Sequence, residues 1–541
     1  TRAVLLDIVS GQYRFVAQGN APSTSTLDAA IGLENAISEI ERITGRKILT
    51  SRNNGPPGVD YMVTTSSLAP PLDTVLVGLV DTHSLSSARR VARSTYTRIL
   101  DEITLHNSDI DQSFNHLVSQ EPELYIITGG TERGAEQALN KLLETVSFAA
   151  SQTHSGSDAP HVLYAGNSYL RHRAARLFNP SRLVIADNVR PSTDVEQLGS
   201  ATREIDSIYE RRTMLDFSGS EKINELSASI MPTAKAMSFT IEYLSEALDK
   251  QANILGVDIG SSSVYINAAI DGEYERLVHA GYGIGHGLNQ MAMRIPPSDI
   301  MRWLPFAVSE KDVLNHAWMK SAHPSSIPTT QTDLALELAY ARELLRSLVK
   351  SMKRSSPNDS MLAVDLIFAS GSTLTRQQRS NQIVLTLLDS LQPVGLCTMV
   401  LDPWGLGSAL GAISKTVPEA AVQVIESGAF RELGHVLSPV GKANPGERIC
   451  QLTIKHKDGS TLEVDVLAGS LEVLPLAQGQ QAELEVRPRR RIDVGMGPGE
   501  GLRCQVFGSE LGLVVDARGR PLEPTLDGGQ TMRSWITDIG G

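Results

Sequence analysis

The feature that most constrains this chain is a hairpin written twice. Thr1-Arg2-Ala3-Val4-Leu5-Leu6-Asp7 followed by Gly11-Gln12-Tyr13-Arg14-Phe15-Val16 parallels residues 262–270 followed by Gly272-Glu273-Tyr274-Glu275-Arg276-Leu277, and GEY begins 261 positions after GQY. Apolar alternation on both sides of a glycine turn describes paired antiparallel strands, so the repeat predicts two similar halves. Two unrelated amphipathic hairpins are the alternative that pattern alone leaves open. In the second copy the hairpin is preceded by Asn253-Ile254-Leu255-Gly256-Val257-Asp258-Ile259-Gly260, and three serines, Ser261, Ser262 and Ser263, follow. An apolar run that carries one carboxylate and then breaks at small residues exposes backbone N–H groups beside an acid, a geometry suited to phosphates. The counterpart of 252–261 would fall before Thr1, so the chain is expected to open inside its first hairpin and to lack one of two such turns.

At 541 residues the chain exceeds one ordinary core, and three or four domains are expected. A 41% hydrophobic share without a long uncharged apolar run predicts a soluble globular protein with no membrane span and no visible signal peptide, hence the cytoplasm. Cys397, Cys450 and Cys504 are few and far apart, without metal spacing, and are expected as small buried residues. A net charge of −12 argues against nucleic acid, which needs a basic surface. The basic run Arg487-Pro488-Arg489-Arg490-Arg491 is a solvated loop or a docking patch.

The first half alternates strands, at 59–65, 74–79, 124–128, 161–165 and 182–186, with helices at 27–44, 85–102, 132–149 and 169–177. Such alternation predicts a mainly parallel sheet covered by helices. A mostly helical stretch at 203–250, broken near Pro232, leads to the second hairpin. Beyond it come a helix at 333–354, strands at 362–369 and 397–401, and helices at 381–391 and 406–412. From about residue 432 the helical pattern is expected to vanish, and Gly and Pro punctuate short alternating runs at 451–455, 462–466, 471–474, 482–486 and 511–516. The fold class expected is therefore α/β with a C-terminal all-β domain.

Asp258 with Gly260 to Ser263 leads the candidate site: the acid can hold a cation-bound water while amides and hydroxyls hold phosphate oxygens. An ordinary hairpin turn fits the same letters. Ala369-Ser370-Gly371-Ser372-Thr373 follows a buried strand, where a glycine lets a flat ring approach the backbone or simply turns the chain. Gly281-Tyr282-Gly283-Ile284-Gly285-His286-Gly287 lacks Walker spacing and is weak evidence for phosphate binding. Ile127-Thr128-Gly129-Gly130-Thr131-Glu132 and Tyr164-Ala165-Gly166-Asn167 end strands, facing a cleft or turning the chain.

These pieces, in this order, resemble the glutamate mutase accessory proteins of the MutL or GlmL type, members of the actin-like, Hsp70-like, sugar-kinase ATPase superfamily. The resemblance rests further on Ile230-Met231-Pro232-Thr233, Leu391-Gln392-Pro393, Ala409-Leu410-Gly411-Ala412, Pro439-Val440-Gly441 and Gly495-Met496-Gly497-Pro498-Gly499. It implies two actin-like (ribonuclease H-like) halves, 1–250 and 251–430, closing on ATP and Mg, with a β-rich domain at 431–541. It further implies that Asp258 is the catalytic and metal-binding acid, that Gly260, Ser261, Ser262 and Ser263 hold phosphate, that Gly371 and Ser372 meet adenosine, and that 409–412 joins the halves. The activity implied is chaperone-like: an ATP-dependent factor that releases damaged cobalamin from an adenosylcobalamin-dependent mutase. Members carry a second turn of the form DxGGATTD. Here Ser261, Ser262, Ser263, Val264 and Tyr265 stand in its place, and the second acid is lost. Binding without hydrolysis, in a structural or filament-forming protein, is therefore an alternative expectation. A small-molecule kinase is another, although no second carboxylate motif supplies its catalytic base.

Overall fold

The computed structural model describes residues 1–24, 27–49, 58–104, 121–153, 159–213, 217–248, 252–353, 362–377 and 379–540. Both expected hairpins form. Strand Arg2–Val9 pairs antiparallel with Gln12–Asn20, and Ser263–Ile270 pairs with Glu273–Ala280. Their turns have the same backbone: Ser10 and Gly11 at φ 52° and 82°, Asp271 and Gly272 at φ 53° and 77°. Positive φ at both central residues gives the tight turn whose twist matches antiparallel strands, and an X-Gly pair is what it requires.

In the second half the hairpin continues into Ile254–Ile259, which runs parallel to Leu366–Ser370, itself parallel to Pro393–Leu401. These three strands are almost wholly buried, as central strands covered on both faces must be. The sheet extends through Arg431–Ser438, Leu513–Asp516 and Leu471–Leu474. Three strands of the C-terminal part therefore complete the sheet of the second half. A second, antiparallel sheet consists of Thr461–Leu467, Arg448–His456, Gln481–Pro488 and Leu502–Phe507, and its Leu452, Ile454, Leu484 and Val506 share one core with Leu437, Leu513 and Val515 of the large sheet. One helix, Gln530–Asp538, follows where the helical pattern was expected to have ended.

The first half keeps its hairpin and a parallel pair, Val63–Ser66 with Ser229–Pro232. Between the members of that pair the chain builds a separate parallel sheet, ordered Thr97–Ile103, Leu72–Val77, Leu124–Ile127, His161–Tyr164, Leu183–Ile185. The helix expected over 85–102 is corrected here: it ends at Arg93, and Thr97–Ile103 is the edge strand. The hydroxyls of Ser94 and Thr97 donate to the carbonyls of Val91 and Ala92, taking over acceptors of the last turn, and Tyr96 is buried against Tyr209.

Helix Thr233–Ala247 of the first half crosses helix Leu406–Ile413 of the second. Gly407 and Gly411 face this crossing, and the Thr240 hydroxyl donates to the Gly407 carbonyl at 2.7 Å. The architecture is thus α/β with parallel sheets, followed by a C-terminal antiparallel β unit. Among the described residues no helix is long and apolar enough to cross a membrane.

Candidate functional site

Asp258, Ser370 and Asp402 end three neighbouring parallel strands. Asp258 pairs in register with Ser370, and Ala369 with Leu401, so the three side chains line the carboxyl edge of the sheet. Open α/β sheets bind ligands at this edge. The sequence pattern identified Asp258 and passed over Asp402. The signal for Asp402 was present in Asp402-Pro403-Trp404-Gly405-Leu406, an acid placed just ahead of a helix. Each of its oxygens accepts one backbone amide, Leu406 at 2.8 Å and Gly407 at 2.8 Å. The Ser370 hydroxyl donates to Asp402 Oδ2 at 3.4 Å.

Asp258 is half-buried as a residue, but its carboxyl group is enclosed, and burial pushes its pKa up to about 6. A hydrogen bond from Ser370 and the charge of Arg2 act the other way, while the charge of Asp402 adds to the rise. Asp402 is also raised by burial, against the pull of the Gly407 and Leu406 amides. Arg2, from the first hairpin, lies over Gly405, where a Cβ would run into its guanidinium. Opposite Asp258 in register stands Tyr265, 2% exposed, whose phenol pKa is raised by burial and then by the Asp258 charge. Tyr96, from the first half, feels the same acid: burial first, then the Asp258 charge, raises its pKa. Both halves therefore contribute to the surroundings of one carboxylate.

The turn after Asp258 closes through the Gly260 N–H to the Ser263 carbonyl at 3.0 Å. A Cβ on Gly260 would stand 2.9 Å from that carbonyl and 3.6 Å from Asp258 Oδ1, so the carboxylate leans over the turn. Ser261 and Ser262 are half-buried at its tip, and Ser263 is buried in the following strand. The glycine run 281–287 is explained by packing: a Cβ on Gly283 would stand 2.5 Å from the Ser261 carbonyl, and Ile284 N–H donates to the Gly260 carbonyl at 3.0 Å. His286 is exposed on that run.

Gly371 has φ +94°, and a Cβ there would meet the Ile259 backbone at 2.4 Å. Its missing side chain thus lets two strand ends touch, and Ser372 begins the short helix Ser372–Thr375 beside it. Asp258, the turn and Gly371 come together, with Ser372 one residue on. The turns at 127–132 and 164–167 lie in the five-stranded sheet, where Asn167 and Asn188 amides hold the carbonyls of Gly134 and Gly130. Among the described residues no cluster of three or more His, Cys, Asp or Glu is arranged for a metal.

Fold and site together define an α/β protein with an acid-bearing glycine–serine turn at the carboxyl edge of its larger sheet. The chain belongs to the MutL protein family, the glutamate mutase accessory family, whose model matches residues 1–428. Among curated proteins none matches it by sequence. Similar solved structures include component A of (R)-2-hydroxyglutaryl-CoA dehydratase from Acidaminococcus fermentans, 10% identical over 53% of this chain and 86% of that one, TM-score 0.23. Nucleotide-free acetone carboxylase is 14% identical over 84% and 78%, TM-score 0.28. The ATP-dependent caprolactamase from Pseudomonas jessenii is 11% identical over 86% and 81%, TM-score 0.28. Scores this low assign no chemistry.

Proposed function

We propose that the protein is an ATP-dependent reactivating factor for an adenosylcobalamin-dependent mutase, working in the cytoplasm. The observation that carries this reading is Asp258, an enclosed acid leaning over a glycine–serine turn, in a chain of the mutase accessory family. Two neighbouring acids whose ionisation burial opposes form a site that a divalent cation would relieve, and one carboxylate plus waters and phosphate oxygens is an ordinary magnesium set. Asp258 would hold that ion, with Asp402 fixed behind it. The turn Gly260, Ser261, Ser262, Ser263 would receive phosphate oxygens, with Gly371 and Ser372 toward the adenosine. Magnesium, when bound, supplies charge neutralisation on the phosphates.

A reactivating factor must convert nucleotide state into a changed affinity for its client. The helix crossing at Gly407 and Gly411 is the contact through which rotation of residues 1–250 against 251–430 would pass. The β-rich part, 431–541, would support the halves or touch the client.

One feature favours a second reading, a nucleotide-binding structural protein without turnover: the buried phenol of Tyr265 stands where family members carry a second acid. The test is recovery of a mutase inactivated by damaged cobalamin, using the full-length protein. Recovery should require ATP and magnesium, and Asp258→Ala should weaken magnesium–ATP binding by about 2–3 kcal/mol, the scale of a lost charge-assisted contact. Recovery that is equal without ATP would overturn the proposal. ATP binding without hydrolysis or recovery would favour the second reading.

A further inference from the structure

We infer that the C-terminal β unit carries a second, separate binding site, for a small organic phosphate, in the cavity between residues 442–449 and 489–492. The cavity has a volume of about 650 Å³ and is lined by Lys442, Glu447, Ile449, Arg489, Arg490 and Arg491 among others. That volume is in the range of small-molecule and cofactor sites. It lies outside residues 1–428, the part matched by the family model.

Its walls are held by backbone. Val440 and Asp493 exchange both N–H to carbonyl bonds at 2.8 Å. The Arg489 N–H donates to the Ile449 carbonyl at 2.8 Å, and Ile492 N–H to the Arg489 carbonyl at 2.8 Å. A Cβ on Gly441 would stand 2.4 Å from the Arg491 carbonyl, so the two segments touch directly. Ile449 and Ile492, 4% and 3% exposed, give the site an apolar floor.

The charge is unbalanced. Glu447 pairs with Arg489 at 2.6 Å, and among the described residues Lys442, Arg490 and Arg491 have no ion-pair partner. Three exposed cations without an ion-pair partner thus line one hollow of a chain whose net charge is −12. An anion that enters removes their mutual repulsion. Guanidinium forks match phosphate oxygens, and the floor can take the organic part of a ligand. An acidic peptide would call for cations along an extended strip, whereas these surround a single hollow.

Calorimetry with AMP and with inorganic pyrophosphate, both without magnesium, tests the inference on the whole protein. Wild type should bind both, more weakly as KCl is raised. Arg490→Gln/Arg491→Gln should weaken each by about tenfold or more, the scale of a lost charge-assisted contact. Arg487→Gln removes a charge from the same basic run outside the cavity and should leave binding unchanged. The inference is overturned if wild type binds neither probe at millimolar concentration, if the double variant binds them as tightly as wild type, or if Arg487→Gln weakens binding as much as the double variant.

Discussion

Gly411 sits against the backbone of Ala236: a Cβ added to it would stand 1.7 Å from the Ala236 carbonyl oxygen. At Gly411 the two helices therefore meet backbone to backbone, with no room for a side chain at that position. Gly411→Ala should cost about 1–3 kcal/mol through forced separation, more than the roughly 1 kcal/mol that alanine gains over glycine in a helix. Gly199→Ala, at a helix start where the nearest atom is the end of a flexible arginine, is the control and should be neutral or stabilising. Chemical denaturation of both variants decides it, and equal midpoints would mean that the crossing relaxes freely.

Asp258 and Asp402 are both buried acids, yet their replacements should act in opposite directions. Burial raises the folded-state pKa of Asp258 to about 6, above its ordinary value of 3.8. Between these values the native state binds more protons than the unfolded one, so stability falls as pH rises through the window and stays reduced above it. Asp258→Asn removes that cost. Its melting temperature should exceed wild type at pH 8 and approach wild type near pH 4, and a difference independent of pH would refute the shift.

Asp402 holds two amides, one with each oxygen. Asparagine offers only one acceptor, so one helix N–H is left buried and unpaired, at about 1–3 kcal/mol. Asp402→Asn should therefore destabilise nearly as much as Asp402→Ala. A fully stable asparagine variant would show that water takes over the cap.

The repeated hairpin and its turns were legible because a positive-φ pair needs particular letters, and Gly11 and Gly272 supplied them. Most strands of both halves were legible for the same local reason, as apolar runs between turn residues. The strand Thr97–Ile103 was hidden because Ser94 and Thr97 end a helix through hydroxyl contacts that resemble ordinary helix positions in sequence. Which sheet a strand joins is not local at all: Arg431–Ser438 and Leu513–Asp516 look like members of the β unit and instead extend the sheet of the second half. At the site, Asp258 announced itself beside glycine and serines. Asp402, Tyr265 and Arg2 joined it only through strand register and the meeting of the two halves.

Arg518 fastens the C-terminal part to the second half. Its Nη1 donates to Asp389 at 2.8 Å, its Nε and Nη2 donate to Asp516 at 2.8 and 2.9 Å, and its guanidinium lies 4.4 Å from the ring centre of Trp535. Asp389 belongs to helix Ser380–Leu391 and also receives Arg342 Nε at 2.7 Å, while Asp516 ends the strand Leu513–Asp516 and also receives Arg520. Burial alone would raise the Asp516 pKa, but Arg518 and Arg520 outweigh it and hold the carboxyl well below the usual range. A depressed acid contributes stability above its unfolded pKa and loses it as pH falls through the folded value. Arg518→Met removes the shared partner of two fully buried carboxylates, but Arg342 still pairs with Asp389 and Arg520 with Asp516, so the cost at neutral pH should be about 1.5–3 kcal/mol, the scale of lost hydrogen bonds to charged groups. Arg448→Met breaks the pair with Asp465, both side chains half exposed to water, and should cost no more than about 1 kcal/mol. The larger loss should shrink in strong acid, where protonation of the two carboxylates weakens the pairs that Arg518 makes in the wild type. Equal losses for the two variants, measured by denaturant unfolding, would show that the buried network adds nothing beyond an ordinary surface pair.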